Sequence, residues 1–272
     1  MQITDAQVHI WGANTPERPW PESGRAHPHR ATPFSHHDLL REMDEAGVAR
    51  VIIVPPSWEG ERNDLALEAC RLHPDRFAIM GRIALDPANA PLLDTWRAQS
   101  GMLGLRFSYR PEHGWLQDGS ADWLCAAAQK NHLPIMISCP GFLPDLAGLA
   151  ERFPDLKLIV DHLALRRAKD DEAFADIPHL LKLARFPNVA AKASALPRYS
   201  TDPYPYRNVH DHLHRVFDAF GPQRTFWGTD LTGLPCAYRQ AVTMFTEELP
   251  FLSEDDRTWV MGKAVSAFAG WP

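Results

Sequence analysis

Three side chains that handle protons stand at the ends of three apolar runs: His9 in "DAQVHIW", His162 in "LKLIVDHLA" and Asp230 in "FWGTDLTG". A carboxylate and two imidazoles can deprotonate water and polarise a carbonyl, or they can hold a divalent cation. Basic residues stand near the same kind of run end: Arg82, Arg106, Arg110, Arg166, Arg167, Lys192 and Arg198. Guanidinium groups grip carboxylates in a two-pronged geometry. Arg106, Arg110 and Arg198 are therefore candidates for binding a carboxylated substrate, with Gln7 and Ser138 as further polar candidates.

These residues need elements that bring them together. Short aliphatic or β-branched runs recur at residues 2 to 10, 49 to 55, 77 to 85, 102 to 108, 133 to 138, 156 to 162, 188 to 194 and 224 to 230. Helical spacing fills the intervals, as in "SHHDLLREMDEAGV", where Ser35 reads as the N-cap and Gly47 as the stop. Repeated strand–helix units imply parallel strands buried by helices, and eight of them in one chain predict a (β/α)8 TIM barrel formed by residues 1–272 as a single domain. An open doubly wound sheet would advertise a glycine-rich loop after its first strand, and "WGANTPERPWPESG" stands there instead. Catalytic groups of a barrel gather where its strands end, and the polar residues named above fall at those exits. Alternation along the first strand predicts that Asp5, Gln7 and His9 share one face.

Composition limits the partners. The 272 residues are 45% hydrophobic and 23% charged, with a net charge of −6 and a pI near 6.1. That balance argues against a nucleic-acid or membrane-surface binder. The chain has neither a signal-like amino terminus nor a run of about 18 apolar residues, so a cytoplasmic protein is expected. Cys70, Cys125, Cys139 and Cys236 lie far apart without a CxxC pair and read as small buried side chains. His27, His29, His36 and His37 read as a solvated loop, and His210 and His214 as an outer helix surface. Oligomeric state has no sequence signature here.

"DAQVHIW" resembles the D-x-H-x-H opening of the amidohydrolase superfamily. "LKLIVDHLA", "NVAAKASAL" and "FWGTDLTG" are similar to the later strand signatures of its amidohydrolase-2 branch, and "WVMGKAVSAFAGW" to its final helix. The resemblance implies a TIM-barrel hydrolase or decarboxylase, often holding a divalent metal between two histidines of strand 1, a histidine of strand 5 and an aspartate of strand 8. His9 and Asp230 match that pattern; Gln7 replaces the first histidine, and Ser138 stands where strand 5 would supply its own. An amide oxygen is a poor zinc donor beside imidazole, so the expectation is no metal, or a loosely bound zinc or manganese on His9 and Asp230.

Branch members similar to this sequence include lactonases acting on sugar lactones and on carboxylated pyrones or muconolactones. Opening an activated ester ring needs a positioned water, a base and oxyanion stabilisation, without a strong Lewis acid. The expected enzyme is a lactone hydrolase in which Asp230 is the base, His162 polarises the carbonyl, and His9 and Gln7 orient water or carbonyl. A metal-dependent hydrolase or decarboxylase, and a non-catalytic small-molecule-binding barrel, are the alternatives.

Overall fold

The computed structural model describes residues 1–22, 28–109 and 114–272. Its strands are β1 (Thr4–Val8), β2 (Arg50–Ile53), β3 (Phe77–Gly81), β4 (Met102–Ser108), β5 (Ile135–Ser138), β6 (Leu158–Val160), β7 (Val189–Ser194) and β8 (Thr225–Gly228). They form one parallel sheet in the order β1-β2-β3-β4-β5-β6-β7-β8. The Asp230 N–H donates to the Gln7 carbonyl at 2.9 Å across the remaining seam, so the sheet curls into the expected (β/α)8 barrel.

The helices around it are α1 (His36–Ala46), α2 (Asp64–Leu72), α3 (Asp122–Lys130), α4 (Leu143–Arg152), α5 (Asp170–Ala173), α6 (Ile177–Leu183), α7 (His210–Phe220), α8 (Tyr238–Glu247), α9 (Glu254–Thr258) and α10 (Ala264–Ala269). Ser35 and Asp38 close a reciprocal capping box at the start of α1, and Gly47, at φ 78°, ends it in the left-handed conformation glycine adopts without strain. The β3–β4 crossover is a run of 3-10 turns over Pro87–Ala98, because Pro91 lacks the N–H that an α-helix would use there. Among the described residues no helix is long and apolar enough to cross a membrane.

Two apolar layers hold the barrel. Outward-facing residues such as Val51, Leu105, Ile137, Val160 and Trp227 pack against the helices. Inward-facing Ala6, Ile52, Ala78, Met80, Met136, Ile159, Ala190 and Phe226 pack with one another and with Val265, Ala269 and Trp271 of the carboxyl-terminal segment. That segment covers the floor of the barrel and leaves the exits of the strands as its mouth.

One local expectation fails at β1. Its register against β2 slips between Asp5 and Val8, so strict alternation is lost. Asp5 turns into the β1–β8 seam, where it accepts from Gln7 N (2.9 Å), Thr229 N (2.9 Å), the Thr229 hydroxyl and Tyr238 Oη of α8 (2.8 Å). Burial outweighs these hydrogen bonds and pushes the Asp5 carboxyl up to about 6. Asp5 is thus a staple of the fold, while Gln7 and His9 face the barrel.

Candidate active site

The exits of β6, β7 and β8 turn sharply. His162 (φ 51°), Ala195 (φ 61°) and Asp230 (φ 53°) all occupy the left-handed region, which non-glycine residues adopt only when their surroundings hold them there. The turn after β8 is tied by Asp230 N–H to Gln7 O and by Gly233 N–H to Asp230 O at 2.8 Å. These ties set the Asp230 side chain beside the end of β1.

His9 Nδ1 lies 2.5 Å from the Val54 carbonyl, which only accepts, so Nδ1 carries a proton. His9 Nε2 lies 3.1 Å from Asp230 Oδ1. The two atoms are close but not aligned as donor and acceptor: Asp230 Oδ1 is buried and has no hydrogen-bond partner. Burial acts to raise the Asp230 carboxyl; His9, His162 and His29 together outweigh it and hold it well below the ordinary carboxylate range.

Beneath this pair lies a continuous polar layer. Alternation along β7 turns both Lys192 and Ser194 inward above Ala190. The fully buried Lys192 ammonium donates to Gln7 Oε1 at 2.5 Å and sits 2.6 Å from Asp161 Oδ1. Arg106 Nε donates to Asp161 Oδ2 at 3.1 Å, and its Nη1 donates to the Ser108 hydroxyl. The Gln7 amide nitrogen is 3.1 Å from His162 Nε2, and Ser194 Oγ is 2.8 Å from His162 Nδ1. Burial drives the His162 imidazole down to about 4, against the pull of Asp230 and Asp161.

The rim supplies the remaining groups. Arg198, just beyond β7, donates from Nη1 to Asp230 Oδ2 at 3.3 Å while its side chain stays 39% exposed, open to a ligand. A Cβ on Gly233 would stand 2.1 Å from Arg198 Nη2, so the absence of a side chain at position 233 lets the guanidinium reach Asp230.

The solvated-loop reading of His29 is overturned: its Nδ1 is 2.9 Å from Thr232 Oγ1 and 4.0 Å from Asp230 Oδ1, and its ring meets Trp58 at 5.2 Å and His9 at 5.6 Å. Burial lowers the His29 imidazole to about 4. No local pattern marks His29, because its partners Thr232 and Trp58 come from distant segments; Lys192 stands near a run end in the sequence, but its buried partners are visible only in the fold.

The structure brings Gln7, His9, Arg106, His162, Arg198 and Asp230 together. Ser138 ends β5 in register with Ser108, at the edge of this group. Arg110 and His27 lie outside the described residues. His210, 2.8 Å from the Pro205 carbonyl, and His214, 3.5 Å from Asp218, lie on α7 of the outer layer. Cys139 is fully buried and burial raises its thiol, which removes it as a nucleophile.

His9 Nε2 and Asp230 Oδ1 are two donors that a divalent cation would accept. Gln7 Oε1 faces an ammonium instead, and the Gln7 amide nitrogen faces His162 Nε2. Among the described residues no three His, Cys, Asp or Glu side chains are placed to hold one ion. This donor set does not fit a tightly held zinc or manganese.

Comparison with known proteins adds an independent line. The family model described as amidohydrolase matches residues 4–265. The 4-sulfomuconolactone hydrolase of Hydrogenophaga intermedia is 26% identical over 228 residues, 83% of this chain and 73% of its own length. The L-fucono-1,5-lactonase of Burkholderia ambifaria is 26% identical over 237 residues, 83% of this chain and 79% of its own. Among solved structures, an amidohydrolase of Burkholderia multivorans with bound zinc superposes with a TM-score of 0.83 at 23% identity, over 100% of both chains. A probable 2-pyrone-4,6-dicarboxylic acid hydrolase of Acinetobacter baumannii with bound citric acid does so at 0.79 and 18%, again over 100% of both. At these identities the structural matches establish the fold.

Proposed function

The chain belongs to the amidohydrolase family, and from that premise we propose that it opens a small carboxylate-bearing lactone by attack of a water molecule that Asp230 deprotonates. The observation that carries this reading is the buried, unpartnered Asp230 Oδ1 lying 3.1 Å from His9 Nε2 at the mouth of the barrel. A water between them meets two acceptors when His9 is neutral, because Nδ1 holds the ring's one proton against Val54 O. Asp230 takes a proton as the water oxygen bonds to the ring carbonyl carbon. The tetrahedral intermediate then expels the ring oxygen, which receives that proton from Asp230, and a hydroxy acid results. The sulfomuconolactone and fuconolactone hydrolysing relatives support a cyclic ester as the substrate.

The charge of the site supports an anionic substrate. Lys192, Arg106 and Arg198 face Asp161 and Asp230. Among the described residues these three cations share two carboxylates, and a substrate carboxylate would balance the remaining positive charge. His162 has both ring nitrogens engaged inside the protein, so carbonyl polarisation falls to the guanidinium groups of Arg106 and Arg198 rather than to that imidazole.

The test is acid release from a panel of sugar lactones, muconolactones and pyrone carboxylates, followed with a pH indicator with and without a chelator. Turnover at the same rate in chelator is expected. Turnover lost to chelator and restored by zinc would replace this mechanism with a metal-dependent one, and silence on every lactone would overturn the substrate class. Arg198→Met is expected to raise KM for a carboxylated lactone by about 10- to 100-fold, the scale of a charge-assisted hydrogen bond. An uncarboxylated lactone should show no such rise; an equal rise for both would remove Arg198 from carboxylate recognition.

A further inference from the structure

We infer that Gln7 is a positioning residue that links the ammonium of Lys192, ion-paired with Asp161, to His162 and holds that imidazole in its neutral Nδ1–H form. Gln7 is 0% exposed, so it acts on other side chains and not on a ligand in the mouth.

Donor and acceptor chemistry leaves one arrangement. An ammonium has donors only, so the Gln7 atom 2.5 Å from Lys192 Nζ is the amide oxygen. The amide nitrogen therefore points the other way, 3.1 Å from His162 Nε2. That NH2 is itself donor-only, so Nε2 must be the bare, accepting nitrogen. A neutral ring with bare Nε2 carries its proton on Nδ1, which donates to Ser194 Oγ at 2.8 Å. A proton on Nε2, in either the other tautomer or an imidazolium, would set two donors face to face.

Burial opposes a second proton, against charges that partly cancel. Asp161 precedes His162 in the chain and Asp230 approaches from beyond β8, while Lys192 of β7 and Arg106 of β4 oppose them. Lys192 itself cannot turn away, being fully buried between Asp161 Oδ1 at 2.6 Å and the Met136 sulfur at 3.2 Å.

This explains a glutamine at position 7. An amide presents an acceptor to the ammonium and a donor to the imidazole; a carboxylate would accept from both and draw a proton onto Nε2. With its lone pair occupied, His162 does not compete with Asp230 for a proton from water. The arrangement holds whichever ring the site accepts.

The tautomer can be read without any substrate. In protein labelled with 15N-histidine, long-range proton–nitrogen correlation at neutral pH should show His162 as the Nδ1–H tautomer, its signals assigned by their loss in His162→Gln. Gln7→Glu should convert them to the Nε2–H or imidazolium pattern and lower kcat by about 10²-fold with KM little changed, the scale of a misplaced catalytic group. Gln7→Met, which removes the donor without adding charge, should give a mixture of tautomers. A wild-type spectrum showing Nε2–H or imidazolium, or a His162 signal indifferent to Gln7→Glu, would overturn the assignment. The wild-type spectrum decides alone if neither variant folds.

Discussion

Asp230→Asn is expected to lower kcat by about 10²- to 10⁴-fold with KM close to unchanged, the range for loss of a general base. The amide matches the carboxylate in size and still offers Arg198 an oxygen, so ligand contacts at the rim survive. It cannot take a proton from water. Against burial, the neighbouring His9, His162 and His29 together hold the carboxyl well below its ordinary range, so the wild-type base is ionised at neutral pH. Among the described residues His162 has both nitrogens engaged and His29 Nδ1 faces the Thr232 hydroxyl, so His9 Nε2, the other acceptor beside the water, accounts for the activity that remains. Initial rates on the best lactone of the panel, with a thermal melt to confirm folding, measure the effect. A loss of less than about 10-fold would remove Asp230 from the proton transfer.

Lys192→Met is expected to destabilise the fold by about 3–5 kcal/mol at neutral pH, the cost of breaking a buried ion pair by removing one partner. Methionine fills much of the lysine volume, so the loss is electrostatic rather than a cavity. Burial alone would raise the Asp161 carboxyl, and the charges of Lys192 and Arg106 together outweigh it and hold it below the ordinary carboxylate range. With Arg106 as its remaining cation, the buried carboxylate loses the ammonium 2.6 Å from Oδ1.

The pH dependence follows with a definite sign. A depressed carboxyl contributes stability above its unfolded pKa and loses it as pH falls through the folded value. In the variant the carboxyl rises, so protonation relieves the penalty in acid. The gap between wild type and variant should therefore be widest at neutral pH and narrow as pH falls toward 4, which urea titrations at several pH values would show. Asp161→Asn combined with Lys192→Met should recover part of the loss, since the buried charge is then gone. A single variant within about 1 kcal/mol of wild type at neutral pH would refute the pairing.

Much of this protein is written locally in its sequence. Eight apolar runs separated by helical segments specify eight parallel strands, because a strand buried on both faces must be apolar throughout and a parallel return needs a crossover. The same local rule places Lys192 and Ser194 on one side of β7, and the run ends carry His9, His162 and Asp230 to the mouth. The strands end earlier than the apolar runs, at Val160 and Gly228, since His162 and Asp230 leave the sheet in left-handed turns.

Other features were decided only when distant segments met. The register slip in β1 sends Asp5 to Tyr238 and Thr229, 233 and 224 residues away, so alternation within the strand does not report its partner. His29 enters the site through contacts with Trp58 and Thr232, 29 and 203 residues further along the chain. The meaning of Gln7 rests on an ammonium 185 residues away, which settles which end of the amide is donor and which acceptor. Periodicity determines which way a side chain points, but its protonation and its partners are set by whatever the closed barrel brings within hydrogen-bonding reach.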